Sequence, residues 1–271
     1  MERLITEESG IKATRELGKY LGMPILQKKI NKDTFGETLG RVSARLAGWK
    51  GRCLSFAGRL TLTKSVISSV PVHTMSVISL PKSTLGSLDR VTRSFLWGST
   101  TEKRKPHLLN WKKVCQPKRN GGLGIRSATD MNKALLAKIG WRLLHNVDRL
   151  WARVLRHKYK VKEAQDQSWL VPKGTWSSTW RSVCLGLREI VMLGSSWVIG
   201  DGKLVRFWTD KWLLGKPLRE VTLMPLSHEN EELRVCDLWR PGTGWMFEQL
   251  EPLLPLNVVL HLQALVIDNV T

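Results

Sequence analysis

Apolar residues in the first part of the chain recur at spacings of three and four, the mark of helices that bury one face. In residues 33–50 the seam is Phe35, Leu39, Val42, Leu46 and Trp49, with Arg41 and Arg45 beside it. Gly36 and Gly40 weaken this helix by about 1 kcal/mol each against alanine, so it depends on tertiary packing. The stretch 49–81 carries a second seam, Phe56, Leu60, Thr63, Ile67 and Val70; Arg52 and Arg59 share a different face, and Pro71 and Pro81 supply ends or kinks. A further helix is expected over 82–97, with Leu85, Leu88, Val91 and Phe95 inward and Arg90 and Arg93 together. Ser127 and Asp130 form a variant capping box opening the next helix. Its apolar side is Met131, Leu135, Ile139 and Leu143, and Lys138 and Arg142 share another. After a break near Asn146, Arg149, Arg153, Arg156 and Lys160 recur at four, three, four, opposite Leu150, Trp151, Val154 and Leu155. Such a row is about 16 Å long at 1.5 Å per residue.

Strand signals are fewer. Tyr20, Leu21, Met23 and Ile25 suit a short strand, with Gly22 at a tight position and Pro24 at an edge. WVIGDGKLVRFW (197–208) has the pattern of a β-hairpin turning at Asp201-Gly202, which would set Ile199 against Leu204 and Trp197 against Arg206. Eight of the thirteen tryptophans follow residue 165, where tryptophan on a non-basic module is expected to be core. The expected fold is mainly α: a helical bundle with a short N-terminal strand segment and a small Trp-rich α+β module containing one hairpin. Its expected divisions are 1–30, 31–165 and 166–271, with the hairpin near 196–208.

Charge changes the picture. The net charge is +20. Residues 1–165 hold 33 Lys/Arg against 11 Asp/Glu, giving +22, and the remainder 10 against 12, giving −2. So basic a segment calls for a polyanion, with nucleic acid ahead of a membrane surface. Apolar content of 42% argues against wholesale disorder. No apolar run reaches the roughly 18 residues that span a bilayer. Glu2, Glu7 and Glu8 are unlike a targeting leader. A soluble intracellular chain is expected, with nucleus and cytoplasm not distinguished. Cys53, Cys115, Cys184 and Cys236 are too widely spaced for a local zinc motif or a disulfide framework and are expected as free thiols.

The candidate nucleic-acid contacts are therefore Arg52, Arg59, Arg90, Arg93, Lys138, Arg142 and the Arg149, Arg153, Arg156, Lys160 row, together with Lys103, Arg104, Lys105, Lys112, Lys113, Lys118 and Arg119. The last seven lie in the loop-rich segment 101–124, where Gly121 and Gly122 could free backbone amides for phosphates. A solvated basic face accounts for the same pattern without a ligand, and a membrane-surface helix is the third reading for 149–160.

The 49–81 block, KYLGMPI before it, PKRNGGLGIRSATDMNKALLAKIGWRLL after it and WVIGDGKLVRFWTDKW near residue 200 resemble the open reading frame of plant LINE-type non-LTR retrotransposons along essentially the whole chain. Polyproteins of that family often carry a reverse transcriptase or ribonuclease H protein name. The resemblance implies the piece just C-terminal to the polymerase active site: the end of the palm, the thumb and the connection. It also makes Tyr20, Leu21 and Gly22 candidates for the primer grip and makes the helical bundle thumb-like. A plain edge strand explains the same three residues.

Template-directed polymerisation needs paired carboxylates for two metal ions. The family supplies them in an aromatic-x-Asp-Asp turn, and this chain has no Asp-Asp dipeptide. No catalytic residue, metal ligand or cofactor is assigned; magnesium would belong to the palm. The expectation is a reverse transcriptase fragment that keeps sequence-independent RNA or DNA binding and is inactive alone. Its rivals are a protein-interaction module, with the polymerase palm as one partner, and a degenerate retroelement fragment.

Overall fold

A computed structural model of the chain describes residues 8–10, 18–20, 23–25, 33–46, 53–99, 105–162, 167–240 and 242–265. Leu21, Gly22, Trp49, Arg52, Lys103 and Arg104, named above, lie outside the described residues, as does the side chain of Tyr20. The architecture is mainly α with two short antiparallel strand pairs. Residues 1–162 with 167–191 form one compact unit, and residues 163–166 with 192–271 form a second.

In the first unit β1 (Lys19–Tyr20) pairs with β2 (Met23–Pro24), Lys19 opposite Pro24. Helix α1 (Gly36–Leu46) follows a 3-10 turn, and its seam is the one expected, with Phe35 and Val42 buried and Leu39 and Leu46 packed beside them. Helix α2 (Phe56–Leu62) starts at Ser55, whose hydroxyl accepts the Gly58 N–H, and runs into a π turn, Thr63–Ile67. The seam holds at Thr63 and Ile67, but Phe56 is exposed and its ring meets Trp97. After α3 (Val72–Met75), helix α4 (Lys82–Leu96) buries Leu85, Leu88 and Phe95 as its spacing predicts. A short α5 (Trp111–Val114) and the long α6 (Ala128–His145) follow.

Ser127 caps α6: its hydroxyl accepts the Asp130 N–H at 3.1 Å and donates to the Asp130 carboxylate at 2.6 Å. Asp89 of α4 accepts the Ala128 N–H at 2.9 Å. The most deeply buried face of α6 is Asn132, Leu136, Ala137, Gly140 and Leu143. Met131, Leu135 and Ile139 are only half-buried, so the expected stripe is the edge of this face.

Helix α7 (Leu150–Tyr159) and α8 (Ser178–Gly186), which continues in a π turn over Leu187–Val191, complete the unit. Here α6 and α8 approach closely. A Cβ on Gly186 would lie 2.5 Å from the Ala137 nitrogen, and one on Gly140 2.6 Å from Leu187 Cγ. The Tyr159 ring stacks on Trp180 at 4.2 Å, with Trp169 and Trp176 against the same indole.

These contacts move the expected division. Residues 167–191 do not open a tryptophan-rich module at 166; they belong to the first unit, and the second takes 163–166 and resumes at 192. Ser182, Cys184, Gly186 and Leu187 lie beyond the drop in positive charge at residue 165 yet are packing residues of the first unit. Ser182 Oγ accepts the Ser79 N–H at 2.8 Å.

The second unit contains α9 (Met192–Gly194), α10 (His228–Glu232), β3 (Trp239–Arg240) paired with β4 (Gly244–Trp245), α11 (Phe247–Leu250) and α12 (Leu256–Gln263). Its core gathers Phe207, Trp208, Trp212, Trp245 and Leu218 around Val235, Leu250, Val258 and Leu262. The indoles of Trp212 and Trp245 donate to the Phe207 and Leu265 carbonyls, at 2.8 and 3.1 Å.

The hairpin expected near 196–208 is absent there; the paired strands are β3 and β4. A type I′ turn needs positive φ at both central residues, and Gly202 has it (φ +72°) while Asp201 does not. Asp201 instead accepts the Lys203 N–H at 3.1 Å in a local side-chain turn. The flanking backbone pairs elsewhere: Trp197 N–H with the Lys211 carbonyl at 2.7 Å, Phe207 N–H with Leu233 at 2.8 Å, and Val205 carbonyl with the Val235 N–H at 2.9 Å.

Candidate nucleic-acid interface

Dividing the chain by packing sharpens the charge asymmetry. The first unit carries 36 Lys/Arg and 11 Asp/Glu, giving +25; the second carries 7 and 12, giving −5. Some cations are already engaged: Lys133 with Glu189 at 2.6 Å, and Lys19 and Arg41 with Glu37. Hydrogen bonding to Lys19 holds the Glu37 carboxyl below its usual range.

Lys105, Lys112, Lys113, Lys118 and Arg119 are all exposed. They sit on a loop that is internally fixed: Asn110 caps α5 by accepting the Lys112 N–H at 2.9 Å, the Leu123 N–H bonds the Val114 carbonyl at 2.9 Å, and the Gly124 N–H bonds Gln116 at 2.9 Å. The Gly121 and Gly122 amides are not free for phosphate, because they donate to the Lys118 and Pro117 carbonyls at 3.0 and 3.2 Å. A Cβ on Gly122 would fall 2.0 Å from the Gln116 oxygen, so this glycine permits a close loop crossing.

Along α4, Arg90 is exposed but Arg93 is half-buried. Arg59 is half-buried too, its guanidinium against the turn at Gly98 (φ +69°), where an added Cβ would lie 2.7 Å from Nη1. Lys138 and Arg142 are exposed on α6.

The row on α7 is broken. Arg149 is the N-cap residue and Lys160 the left-handed C-cap (φ +52°), so both lie outside the helix. Arg153 points out, whereas Arg156 is half-buried and donates to the Leu143 carbonyl at the C-terminal end of α6 at 3.4 Å, where a cation is favoured. Nor do Leu150 and Val154 face inward: they are 74% and 54% exposed. Small, fully buried Ala152 sets the inward face, with Trp151, Leu155 and Tyr159 half-buried beside it. Outside lies a shallow groove of about 780 Å³, lined by Val147, Leu150, Val154 and Val161 with Arg153, Arg156, His157 and Lys158.

Trp141, exposed on α6 between Lys138 and Arg142, is not among the residues that the sequence pattern singles out. The available signal was its position off the apolar stripe with cations three before and one after it.

Burial raises the Asp89 carboxyl, opposed by the Ala128 N–H. Burial also pushes the Cys115 and Cys184 thiols up to about 12, with Asp89 and Asp130 adding to the effect at Cys115. Among the described residues no group of three or more His, Cys, Asp or Glu is placed to hold a metal ion, and no helix is long and apolar enough to cross a membrane.

No protein-family model matches the chain. It is 55% identical over 249 residues to the Arabidopsis thaliana protein named "Putative ribonuclease H protein At1g65750", covering 92% of this chain and 40% of that protein. The chain thus spans well under half the length of this relative. It is 33% identical over 160 residues to the "Uncharacterized mitochondrial protein AtMg00310" of the same plant, covering 59% of this chain and 99% of that protein.

Proposed function

The chain belongs to the family of the uncharacterized mitochondrial protein AtMg00310 of Arabidopsis thaliana, and on that premise we propose that it is part of a retroelement-derived protein whose basic unit binds the sugar-phosphate backbone of RNA or DNA without reading sequence. The observation that carries this reading is the concentration of charge, +25 on one unit and −5 on the other. Lysines and arginines in that excess repel one another unless a polyanion neutralises them. The ribonuclease H name of the longer relative supports a nucleic-acid context. So does the resemblance to the thumb and connection of LINE-type reverse transcriptases, within which Tyr20, Leu21 and Gly22 would form the primer grip. No polymerase or nuclease step is assigned to residues of this chain.

Binding should be electrostatic and strongly salt-dependent. If about six cations neutralise phosphates, affinity for any sequence falls roughly 10³-fold between 50 and 200 mM salt. Fluorescence anisotropy with unrelated RNA and DNA probes tests this, and a salt-insensitive affinity would refute it. Chelator-sensitive primer extension by the purified chain would overturn the absence of a catalytic step.

A second reading is favoured by the groove on α7. Exposed Leu150 and Val154 between Arg153, His157 and Lys158 suit an acidic amphipathic segment of another protein better than a phosphate strand. Partner capture that survives nuclease treatment would support it.

A further inference from the structure

Tryptophan is rarely left exposed in this fold, and Trp141 is the exception among the described residues. Of the twelve tryptophans among the described residues, Trp141 alone is exposed, at 46%; the others are buried or half-buried. It stands on α6 with Lys138 one turn before it, Arg142 next to it and His145 one turn after it, all exposed. Its ring stacks on the His145 imidazole, with centroids 3.9 Å apart and planes at 23°. Nδ1 of His145 lies 3.0 Å from the Trp141 carbonyl oxygen, which ties the imidazole to the same helical turn. The indole is thus supported on one face and held in a defined orientation.

We propose that Trp141 is a stacking platform for an unpaired base of single-stranded RNA or DNA, with Lys138 and Arg142 contacting the adjoining phosphates. This rests on the nucleic-acid reading above and narrows it to strands whose bases are unstacked. Every base has a π face, so stacking on an indole is strong and tolerant of sequence, as is the charge-driven binding around it. Inside a duplex every base is already covered on both faces, so its grooves present base edges and backbone, and only the terminal pair at an end leaves a face open. An apolar protein surface is a poor occupant, because covering Trp141 would also strip water from Lys138 and Arg142. A membrane surface would want further apolar residues on this face, but the exposed neighbour one turn before Lys138 is Ala134.

The test uses the full chain, wild type and the variants Trp141→Ala and Trp141→Phe, with a single-stranded oligouridylate and a blunt duplex of equal length. Trp141→Ala should weaken single-strand binding about tenfold, leave duplex binding and the salt slope unchanged, and be largely rescued by Trp141→Phe. The oligouridylate should quench tryptophan emission in the wild type and distinctly less in Trp141→Phe. Equal loss on single strand and duplex, or no loss on either, overturns the stacking role while the charge-driven reading stands. A wild-type chain that binds neither probe overturns both. Unchanged duplex affinity also reports that the variants are folded.

Discussion

Asn132 and Leu80, 52 residues apart, are joined by a buried hydrogen bond in which the Asn132 side-chain oxygen accepts the Leu80 N–H at 2.9 Å. The same amide group donates to the carbonyls of Met75 and Ile78, at 2.7 and 3.0 Å. One side chain on α6 thereby satisfies three backbone groups where the chain leaves α3 for α4. Removing it leaves those groups buried without partners, at about 1–3 kcal/mol each before any relaxation. Asn132→Ala should therefore lower unfolding free energy by about 3 kcal/mol with little change in the urea m-value. Asn132→Asp should be at least as damaging at neutral pH, since an ionised carboxylate cannot donate to two carbonyls. A loss below about 1 kcal/mol for Asn132→Ala would mean that the network is not holding this junction.

The α6–α8 contact gives a graded expectation. A methyl on Gly186 meets backbone atoms of Leu136 and Ala137, which cannot move without shifting a helix; a methyl on Gly140 meets the Leu187 side chain, which can rotate. Both substitutions overpack, at about 1–3 kcal/mol, and Gly186→Ala should be the worse. Thermal melts of the two single variants decide the order.

Asn132, Gly140 and Gly186 also explain how far the sequence could be read. Helices with plain aliphatic seams, such as Phe35–Leu39–Val42–Leu46 and Leu85–Leu88–Val91–Phe95, are recovered with their inward faces because spacing alone specifies them. The face of α6 was displaced by one residue because its centre is an amide and a glycine, which hydropathy counts as outward. The same blindness to small residues reversed Leu150 and Val154, since the inward face of α7 is set by Ala152. The 197–208 hairpin failed because its backbone partners lie at 211 and 233–236, and alternation carries no information about distant pairing. Of the candidate site, the excess of charge was legible, but not which cations are structural: Arg59 and Arg156 are drawn inward by a turn and a carbonyl that only the fold brings near.

Asp89 gives a pH-dependent expectation. Its folded-state carboxyl is raised above the ordinary value, chiefly by burial. A raised acid favours the folded state while protonated, and that contribution is lost as pH climbs from below the ordinary carboxylate range through the raised value. Asparagine can still accept the Ala128 N–H without carrying charge. Asp89→Asn should thus match wild type in acid and become the more stable of the two as pH approaches neutrality, whereas Asp89→Ala loses the helix cap as well. Denaturation midpoints measured across that range should diverge in this sense; a gap that closes with rising pH contradicts the assignment.

The thiols should react in a fixed order. Cys53 is exposed, Cys184 is buried, and Cys115 and Cys184 are pushed up to about 12. At about pH 8 a thiol with that value is roughly one part in 10⁴ thiolate, the reactive form. Iodoacetamide on the native chain should label Cys53 first and leave Cys115 and Cys184 until denaturant is added, as peptide mass spectrometry would show. Early labelling of Cys184 would place it nearer the surface than this fold allows.

The two basic regions can be separated by substitution. One set is Lys105, Lys112, Lys113, Lys118 and Arg119 to glutamine; the other is Arg149, Arg153 and Lys160 to glutamine. Arg156 stays out of the second set, because its bond to the Leu143 carbonyl makes any loss ambiguous between folding and binding. Each phosphate contact removed should make the plot of log affinity against log salt shallower by about 0.9 on duplex DNA and about 0.7 on single strands. If the fixed loop is the principal contact, the first set should flatten that slope by several units and weaken all sequences alike. The second set, beside an aliphatic groove, should then alter it by less than about one unit in total. Were neither set to change the slope, neither of these two regions would be acting on phosphates, which would leave the exposed cations of α4 and α6, Arg90, Lys138 and Arg142, as the remaining phosphate contacts.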